Sequence, residues 1–290
     1  MSKNKSMLYA LVVMLLWGTL FPMVKLGYGA YNIVTTSDIL FFAGVRFTIC
    51  GALICLYSFI TDKASFKDVK NALVPVLLSG LFSIILHYSF TYSALKLTDS
   101  SKTAILKQVG VLFYVCFSSM FFKDDKLTTK KLIGVLLGFA GIFAINANAS
   151  GISFNIGDAL IIAASFCTVF SNVISKKVFR TVKPITSTGV SQLFGGIVLL
   201  IIGIFSGGSM TFALGKSFVL FYICLASIFS YSIWFTVVKN GELSKLFIIK
   251  FAEPVFACIF GAILLGENIF RVQYVLAFLL IATGIYISNK

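Results

Sequence analysis

Charge is scarce in this chain: Asp and Glu number ten, and charged residues of either sign make up 12% of 290 positions. An ordinary soluble domain carries about 25%, so the scarcity excludes a conventional water-facing surface. There is one histidine, which excludes a histidine-pair metal centre, and no H-E-x-x-H occurs. Neither a G-x-x-x-x-G-K-[ST] phosphate loop nor a G-x-S-x-G elbow is present, so the chain does not encode its own nucleotide-driven motor or a serine hydrolase. The six cysteines (Cys50, Cys55, Cys116, Cys167, Cys224, Cys258) show no C-x-x-C spacing. They read as small core hydrophobes and say little about redox compartment. No cofactor, no metal and no enzymatic activity are expected.

What the chain has in excess is apolar. Hydrophobic residues reach 59%, with 31 Phe and a mean hydropathy of +1.00. Ten apolar stretches recur, at 7–27, 38–60, 72–95, 103–122, 132–148, 157–175, 185–206, 217–238, 244–265 and 272–288. As helices rising ~1.5 Å per residue, stretches of about 20 residues cross ~30 Å of hydrocarbon. The expected fold is an all-α integral membrane protein of ten transmembrane helices joined by short loops. The leading "MSKNKS" is basic like a secretory signal, but the apolar stretch behind it is too long for one and no A-x-A site follows, so a retained helix is expected.

Basic residues set the expected orientation. With the N-terminus in the cytoplasm, sixteen of the 24 Lys and Arg fall in cytoplasmic segments, among them Lys63, Lys130, Lys183 and Lys290. The opposite side holds four, Lys96, Lys102, Lys216 and Arg271, while Lys25, Arg46, Lys107 and Lys250 lie within stretches. The asymmetry predicts both termini inside, in the plasma (inner) membrane. It also accounts for the net charge of +14 by a basic face beside anionic lipid, so membrane lipids are expected partners and nucleic acid is not.

Shifting the chain by 143 residues lays "SKTAILKQVGVLF" (101–113) over "SKLFIIKFAEPVF" (244–256). Without a gap, 88–142 against 231–285 gives 13 identities in 55 columns. Leu and Phe matches carry little weight in so apolar a chain. The pairs Lys96/Lys239, Lys102/Lys245 and Lys107/Lys250, with Tyr88-Ser89 over Tyr231-Ser232, carry more, because lysine is scarce inside apolar stretches. Two repeats are predicted, 1–148 and 149–290, each of five helices. Five is odd, so the second repeat must cross the membrane inverted. Inverted repeats of this kind underlie alternating-access carriers, with the site near the midplane.

The chain also resembles the EamA type of the drug/metabolite transporter superfamily over nearly its whole length. The matching pieces are "WGTLFPMVK" (17–25), "AGVRF" (43–47), "EPVFACIFGAILLGE" (253–267) and "IATGIYI" (281–287), the third being the most specific. The resemblance implies a secondary transporter with a central cavity, in a family that moves amino acids, nucleotide-related metabolites, polyamine-like cations and drugs. Two departures stand out: Val111 where the first repeat usually has proline, and "FKD" (122–124) in place of "LGE". The fourth helix is therefore expected to be straighter than the ninth.

The candidate site centres on Lys250 and Glu253. A lysine at a helix centre costs ~3 kcal/mol in a bilayer and calls for an interior partner. Glu253, one turn on, is the expected partner. Pro254 should free the Lys250 carbonyl and kink the helix, with Pro22 as a second hinge. Lys107, one repeat away, lacks an acid within a turn. Inverted symmetry sets the two lysines on opposite sides of the pseudo-two-fold axis, where they can contact opposite ends of one substrate; the alternatives are that Lys250 and Glu253 only neutralise each other or that the lysines snorkel to an interface. Trp17, Tyr88, Tyr92 and Tyr231 are further substrate-binding candidates, against the alternative that they only pack. His87 and Glu253 are proton-coupling candidates. Arg46 is read as structural, Asn172 and Gln192 as interhelical glue, and Gly134, Gly138 and Gly141 as a close-packing face.

With cations outnumbering the one deep acid, the expected solute is a small anionic, zwitterionic or neutral metabolite, with a proton as candidate coupling ion. The alternatives are a flippase for lipids or lipid-linked sugars, an exporter of cationic amines or drugs, a channel, and an intramembrane enzyme. A duplicated chain completes its own pseudo-dimer, so a monomer is the default.

Overall fold

The computed structural model describes residues 3–123, 126, 128–148, 151–152, 154–212, 215, 217–240, 243–268 and 272–289. Lys216, Arg271 and Lys290 of the charge asymmetry, and Asp124 of "FKD", lie outside them. The apolar stretches are helices: α1 (Lys3–Ala30), α2 (Thr36–Asp62), α3 (Ser65–Asn71), α4 (Leu73–Gly80), a π-helical segment Leu81–Leu86, α5 (His87–Leu97), α6 (Ser100–Leu106), α7 (Val109–Phe121) and α8 (Thr129–Asn146). A two-residue antiparallel pair, β1 (Ala147–Asn148) with β2 (Gly151–Ile152), turns the chain. Then follow α9 (Ile156–Val178), α10 (Pro184–Phe205), α11 (Ser217–Asn240), α12 (Leu243–Ile249), α13 (Ala252–Leu265) and α14 (Val272–Asn289).

Six helical runs are by length and composition able to cross a membrane: Leu8–Ala30, Thr36–Asp62, Leu73–Leu97, Ile156–Val178, Pro184–Phe205 and Ser217–Lys239. Their surfaces explain why. Leu53, Leu56, Ile60, Phe205, Phe218 and Phe221 point outward, while Arg46, His87, Lys250, Glu253 and Asp158 are buried. Exposed apolar area on that scale would aggregate in water. In lipid it is the solvent-facing side, and the polar side chains retreat inside.

The expected stretches 103–122 and 244–265 are not single helices. The first divides between α6 and α7 at Lys107–Gln108, the second between α12 and α13 at Lys250–Phe251. The expectation of a straighter fourth helix is therefore wrong: it breaks without a proline. Gln108 N–H donates to Ile105 O (3.0 Å) and Val111 N–H to Gln108 O (2.9 Å), tightening the chain to i→i+3 turns. The Lys250 carbonyl is not free either, because it accepts from Glu253 N–H at 3.0 Å. Pro254 thus removes a donor that the tight turn replaces.

Close packing holds the bundle. A Cβ on Gly44, Gly51, Gly196 or Gly203 would strike backbone atoms of Leu200, Leu193, Thr48 or Phe41, so α2 and α10 touch almost main chain to main chain. Gly138 meets Leu112 and Gly284 meets the Gly134 carbonyl, the small-residue packing foreseen for α8. At the helix starts, capping boxes Thr35/Asp38 and Asn155/Asp158 satisfy the first N–H groups of α2 and α9. Asp38 also accepts from Ser209 N–H (2.8 Å), tying in the α10–α11 connection.

Candidate functional site

Gly18 sets where α1 meets the second break. A Cβ there would lie 2.5 Å from Phe256 Cβ and 2.9 Å from the Glu253 carbonyl, so glycine lets α1 press on the first turn of α13. Its neighbour Trp17 then faces inward, 5.1 Å ring to ring from Trp234 of α11 and 5.8 Å from Tyr231. From α5, Tyr88 meets Tyr231 hydroxyl to hydroxyl at 2.8 Å. The π-helical segment directly precedes this face of α5; such segments re-aim the residues that follow. These walls, with α2, α9 and the two helix breaks, line a common chamber.

Every residue named as a substrate-binding candidate lines this chamber: Trp17, Tyr88, Tyr92, Tyr231, Lys107, Lys250 and Glu253, together with His87. The pairing differs from expectation. Glu253 Oε1 accepts from Lys107 Nζ at 3.1 Å, and among the described residues no ion pair joins it to Lys250. The breaks are the reason. Lys107 stands at the C-terminal end of α6 and Glu253 in the first turn of α13, ends whose dipoles favour a cation and an anion respectively, and α6 packs against α13. Lys250 instead sits over Phe247 (5.0 Å), Trp17 (5.3 Å) and Trp234 (5.3 Å). Cation–π attraction replaces the expected carboxylate.

His87 Nδ1 lies 3.0 Å from both the Ala164 carbonyl and the Thr168 hydroxyl. Trp234 Nε1 donates to Asn172 Oδ1 (2.8 Å), and the Asn172 amide donates to Thr168 O (2.7 Å). Asn172 is glue, as expected, but on the chamber wall. Gln192 lies away from it, buried on α10, its amide without a hydrogen-bond partner among the described residues. Pro22 lies inside α1, which runs on as helix from Lys3 to Ala30, and Pro254 lies in the first turn of α13 rather than at a helix centre.

Two wall residues go beyond what the sequence patterns mark. Trp234 carries no motif, although it is one of the two tryptophans and both face the chamber. Arg46 reads from the sequence as structural rather than substrate-binding, yet it lines the chamber fully buried, its Nε and Nη2 donating to the Ser227 hydroxyl at 3.0 and 2.6 Å. The signal is in plain view: an arginine inside an apolar stretch with no acid on its own helix face. Polar atoms of Trp17 (Nε1), Arg46 (Nη1), Thr91 (Oγ1), Tyr92 (OH) and Glu253 (Oε2) are buried around the chamber without a partner among the described residues. Buried polar atoms are normally satisfied, and all five of these belong to residues that line one chamber.

Beyond the chamber, Lys25 lies 3.7 Å from Glu267 and 4.0 Å from Asp99. Glu267 also accepts from Ser100 N–H (2.9 Å) and hydroxyl (2.6 Å), and Lys102 pairs with Asp158 at 2.9 Å. The Leu-Gly-Glu end of the α13 motif thus anchors the start of α6, after Gly266 ends the helix in the left-handed conformation (φ +65°).

Apolar surface outside, paired charge at one end and an aromatic chamber with excess cations within define a multi-pass α-helical membrane protein built around an interior polar site. The chain belongs to the EamA-like transporter family, which matches residues 4–147 and 155–290. Among its relatives is the "uncharacterized transporter YoaV" of Bacillus subtilis, 27% identical over 299 residues and covering 98% of this chain and 97% of that one. The "uncharacterized inner membrane transporter YedA" of Escherichia coli K12 is 24% identical over 293 residues, covering 97% of this chain and 90% of its own. A crystal structure of a protein 20% identical superimposes with a TM-score of 0.75 over 99% of this chain and 97% of that one, a likeness of fold.

Proposed function

We propose that this chain is a secondary transporter that moves a small anionic, zwitterionic or neutral metabolite by alternating access. Ten crossings form two inverted five-helix repeats, 1–148 and 149–290, with both termini cytoplasmic. The α6–α7 and α12–α13 pairs each make one broken crossing, and α8 and α14 close the repeats. The observation that carries this reading is the contact of repeat-related residues at the chamber: the Tyr88 and Tyr231 hydroxyls, 143 positions apart, bond to each other, and the helix breaks after Lys107 and Lys250 are also 143 apart. Broken helices facing a midplane cavity between repeats are the architecture of such carriers.

In the cycle we infer, the two repeats rock about the chamber while Lys107, Lys250 and the aromatic walls hold the solute. Glu253 clasps Lys107 when no solute is bound, exchanging a protein carboxylate for a solute anion. A gradient of solute or protons drives the cycle, with Glu253 and His87 as the candidate proton sites, and direction follows the gradient. A cationic amine is disfavoured because the ring faces of Trp17, Trp234 and Phe247 are already taken by Lys250.

The test is a thermal-shift screen of detergent-purified wild type and a Lys107→Gln/Lys250→Gln double mutant against amino acids, organic anions, nucleosides and quaternary amines. A ligand of the folded state raises Tm. Stabilisation by an anion or zwitterion, lost in a folded double mutant, is expected. Stabilisation by cations alone, unchanged in the mutant, sinks the site assignment.

A further inference from the structure

Three cations and one carboxylate face the chamber among the described residues, and the carboxylate is taken. Glu253 belongs to Lys107 at 3.1 Å, which leaves Arg46 and Lys250 without an acid at ion-pair distance among the described residues. Arg46 is the more constrained of the two. A guanidinium cannot shed its proton, so its charge persists in the membrane interior. Ser227 occupies the Nε–Nη2 edge, while Nη1 of this chamber-lining residue is buried and has no partner among the described residues. The rings of Phe47, Tyr88 and Tyr92, at 4.7, 5.3 and 5.8 Å, offset part of the cost but supply no counter-charge.

Lys250 leans on a different set of rings, Trp17, Trp234 and Phe247. Between the two cations runs an aromatic row: Tyr88 touches Arg46, its hydroxyl bonds Tyr231, and Tyr231 packs edge-on to Trp17, which lies under Lys250. A matched solute therefore carries two anionic groups joined by an apolar body. With such a solute bound, the charges of Arg46, Lys107, Lys250 and Glu253 sum with it to zero. A monocarboxylate leaves one buried cation unmatched, and an amine adds another.

We propose that Arg46 is an anion-binding residue of the chamber and that the solute is a small dicarboxylate, held by Arg46 at one end and Lys250 at the other. The inference rests on the carrier reading above and deepens it by naming the solute class, but it changes one assignment: Arg46 takes the place of Lys107 as the second solute-holding cation, and Lys107 keeps Glu253. The guanidinium edge bearing Nη1 gives the planar fork that carboxylates prefer, which a lysine does not reproduce.

The experiment compares succinate and glutarate with butyrate, inorganic phosphate and choline, first by thermal shift and titration in detergent, then by counterflow of labelled dicarboxylate in proteoliposomes. For wild type, a dicarboxylate is expected to raise Tm by several degrees and to bind at least tenfold tighter than butyrate. Arg46→Lys, which keeps the charge and loses the fork, is expected to weaken dicarboxylate binding at least tenfold. Lys250→Gln should erase the preference for glutarate over butyrate, a change of selectivity that a merely structural role would not produce. Butyrate, phosphate or choline binding as tightly as the dicarboxylates overturns the proposal. So does the failure of both dicarboxylates to bind, or an Arg46→Lys protein that elutes as wild type and keeps wild-type affinity. Dicarboxylate binding without counterflow would overturn the carrier reading and leave the charge assignment standing. Counterflow of a neutral or cationic solute, untouched in Arg46→Lys, would do the reverse.

Discussion

The two helix breaks are the same turn built from different residues. At the first, Lys107, Gln108, Gly110 and Val111 occupy the positions that Lys250, Phe251, Glu253 and Pro254 occupy at the second. The lysine is common to both; the proline and the carboxylate are not. A break that forms with Val111 as well as with Pro254 is not made by proline. What the breaks share is a cation at the C-terminal end of a short helix, where the helix dipole favours positive charge. What distinguishes them is reach: Glu253 of the second break crosses to the lysine of the first.

The largest effect expected from that asymmetry follows removal of the carboxylate. Glu253→Gln leaves the buried Arg46 and Lys250 and the partly buried Lys107 around one chamber, with no acid among the described residues lining it to balance them. Removing one partner of a buried pair costs about 3–5 kcal/mol. Thermal denaturation in detergent should show the largest fall in Tm for this single variant. A Tm within a degree of wild type would mean that Glu253 is neutral or matched elsewhere, and the cross-brace would fall.

Lys107→Gln should cost less, because Lys250 remains in the same chamber to face Glu253. A hydrogen bond to a charged group is worth about 1.5–3 kcal/mol, and that range is the expected loss. Combining it with Glu253→Gln sharpens the test: the double variant should be less destabilised than the sum of the singles, since the two changes remove one interaction. Strict additivity would show the 3.1 Å contact to contribute nothing.

Gly110 marks the other difference. Its counterpart in the second break is Glu253, yet at 110 a Cβ would lie 2.6 Å from the Ser165 carbonyl of α9. Gly110→Ala is expected to cost about 1–3 kcal/mol by forcing α7 from α9. A neutral Gly110→Ala would mean that the two breaks have equal room, and that the first lacks an acid for some reason other than space.

Much of this is legible in the chain itself. The long apolar helices, the capping carboxylates Asp38 and Asp158 and the chamber-facing Trp17, Tyr88, Tyr231 and Lys250 all announce themselves, because each is a residue type out of place in its stretch or repeated 143 positions on. The Lys107–Glu253 pair does not, since its partners are 146 residues apart and local spacing favours Lys250. The π-helical segment Leu81–Leu86 leaves no trace in "LFSIIL", an ordinary helical run by composition. Arg46 is visible but reads as structural, because its neighbours Ser227 and Tyr88 come from other helices.

Pro254→Ala is the smallest effect and the most direct attempt on the comparison. The α12–α13 turn is already closed by Glu253 N–H to the Lys250 carbonyl at 3.0 Å, a bond the substitution leaves in place. Pro254 lies in the first turn of α13, where proline is tolerated and its loss mainly returns freedom to the unfolded chain. The expected change is within about 1 kcal/mol, with any ligand-induced Tm shift retained. Val111→Pro should be comparably mild, losing one bond to Gln108 O worth about 1 kcal/mol. If Pro254→Ala instead fuses α12 and α13 into one helix and abolishes ligand binding while Val111→Pro changes nothing, proline governs the second break alone. The two turns would then resemble each other by different causes, and Pro254 would be the hinge on which the second half moves.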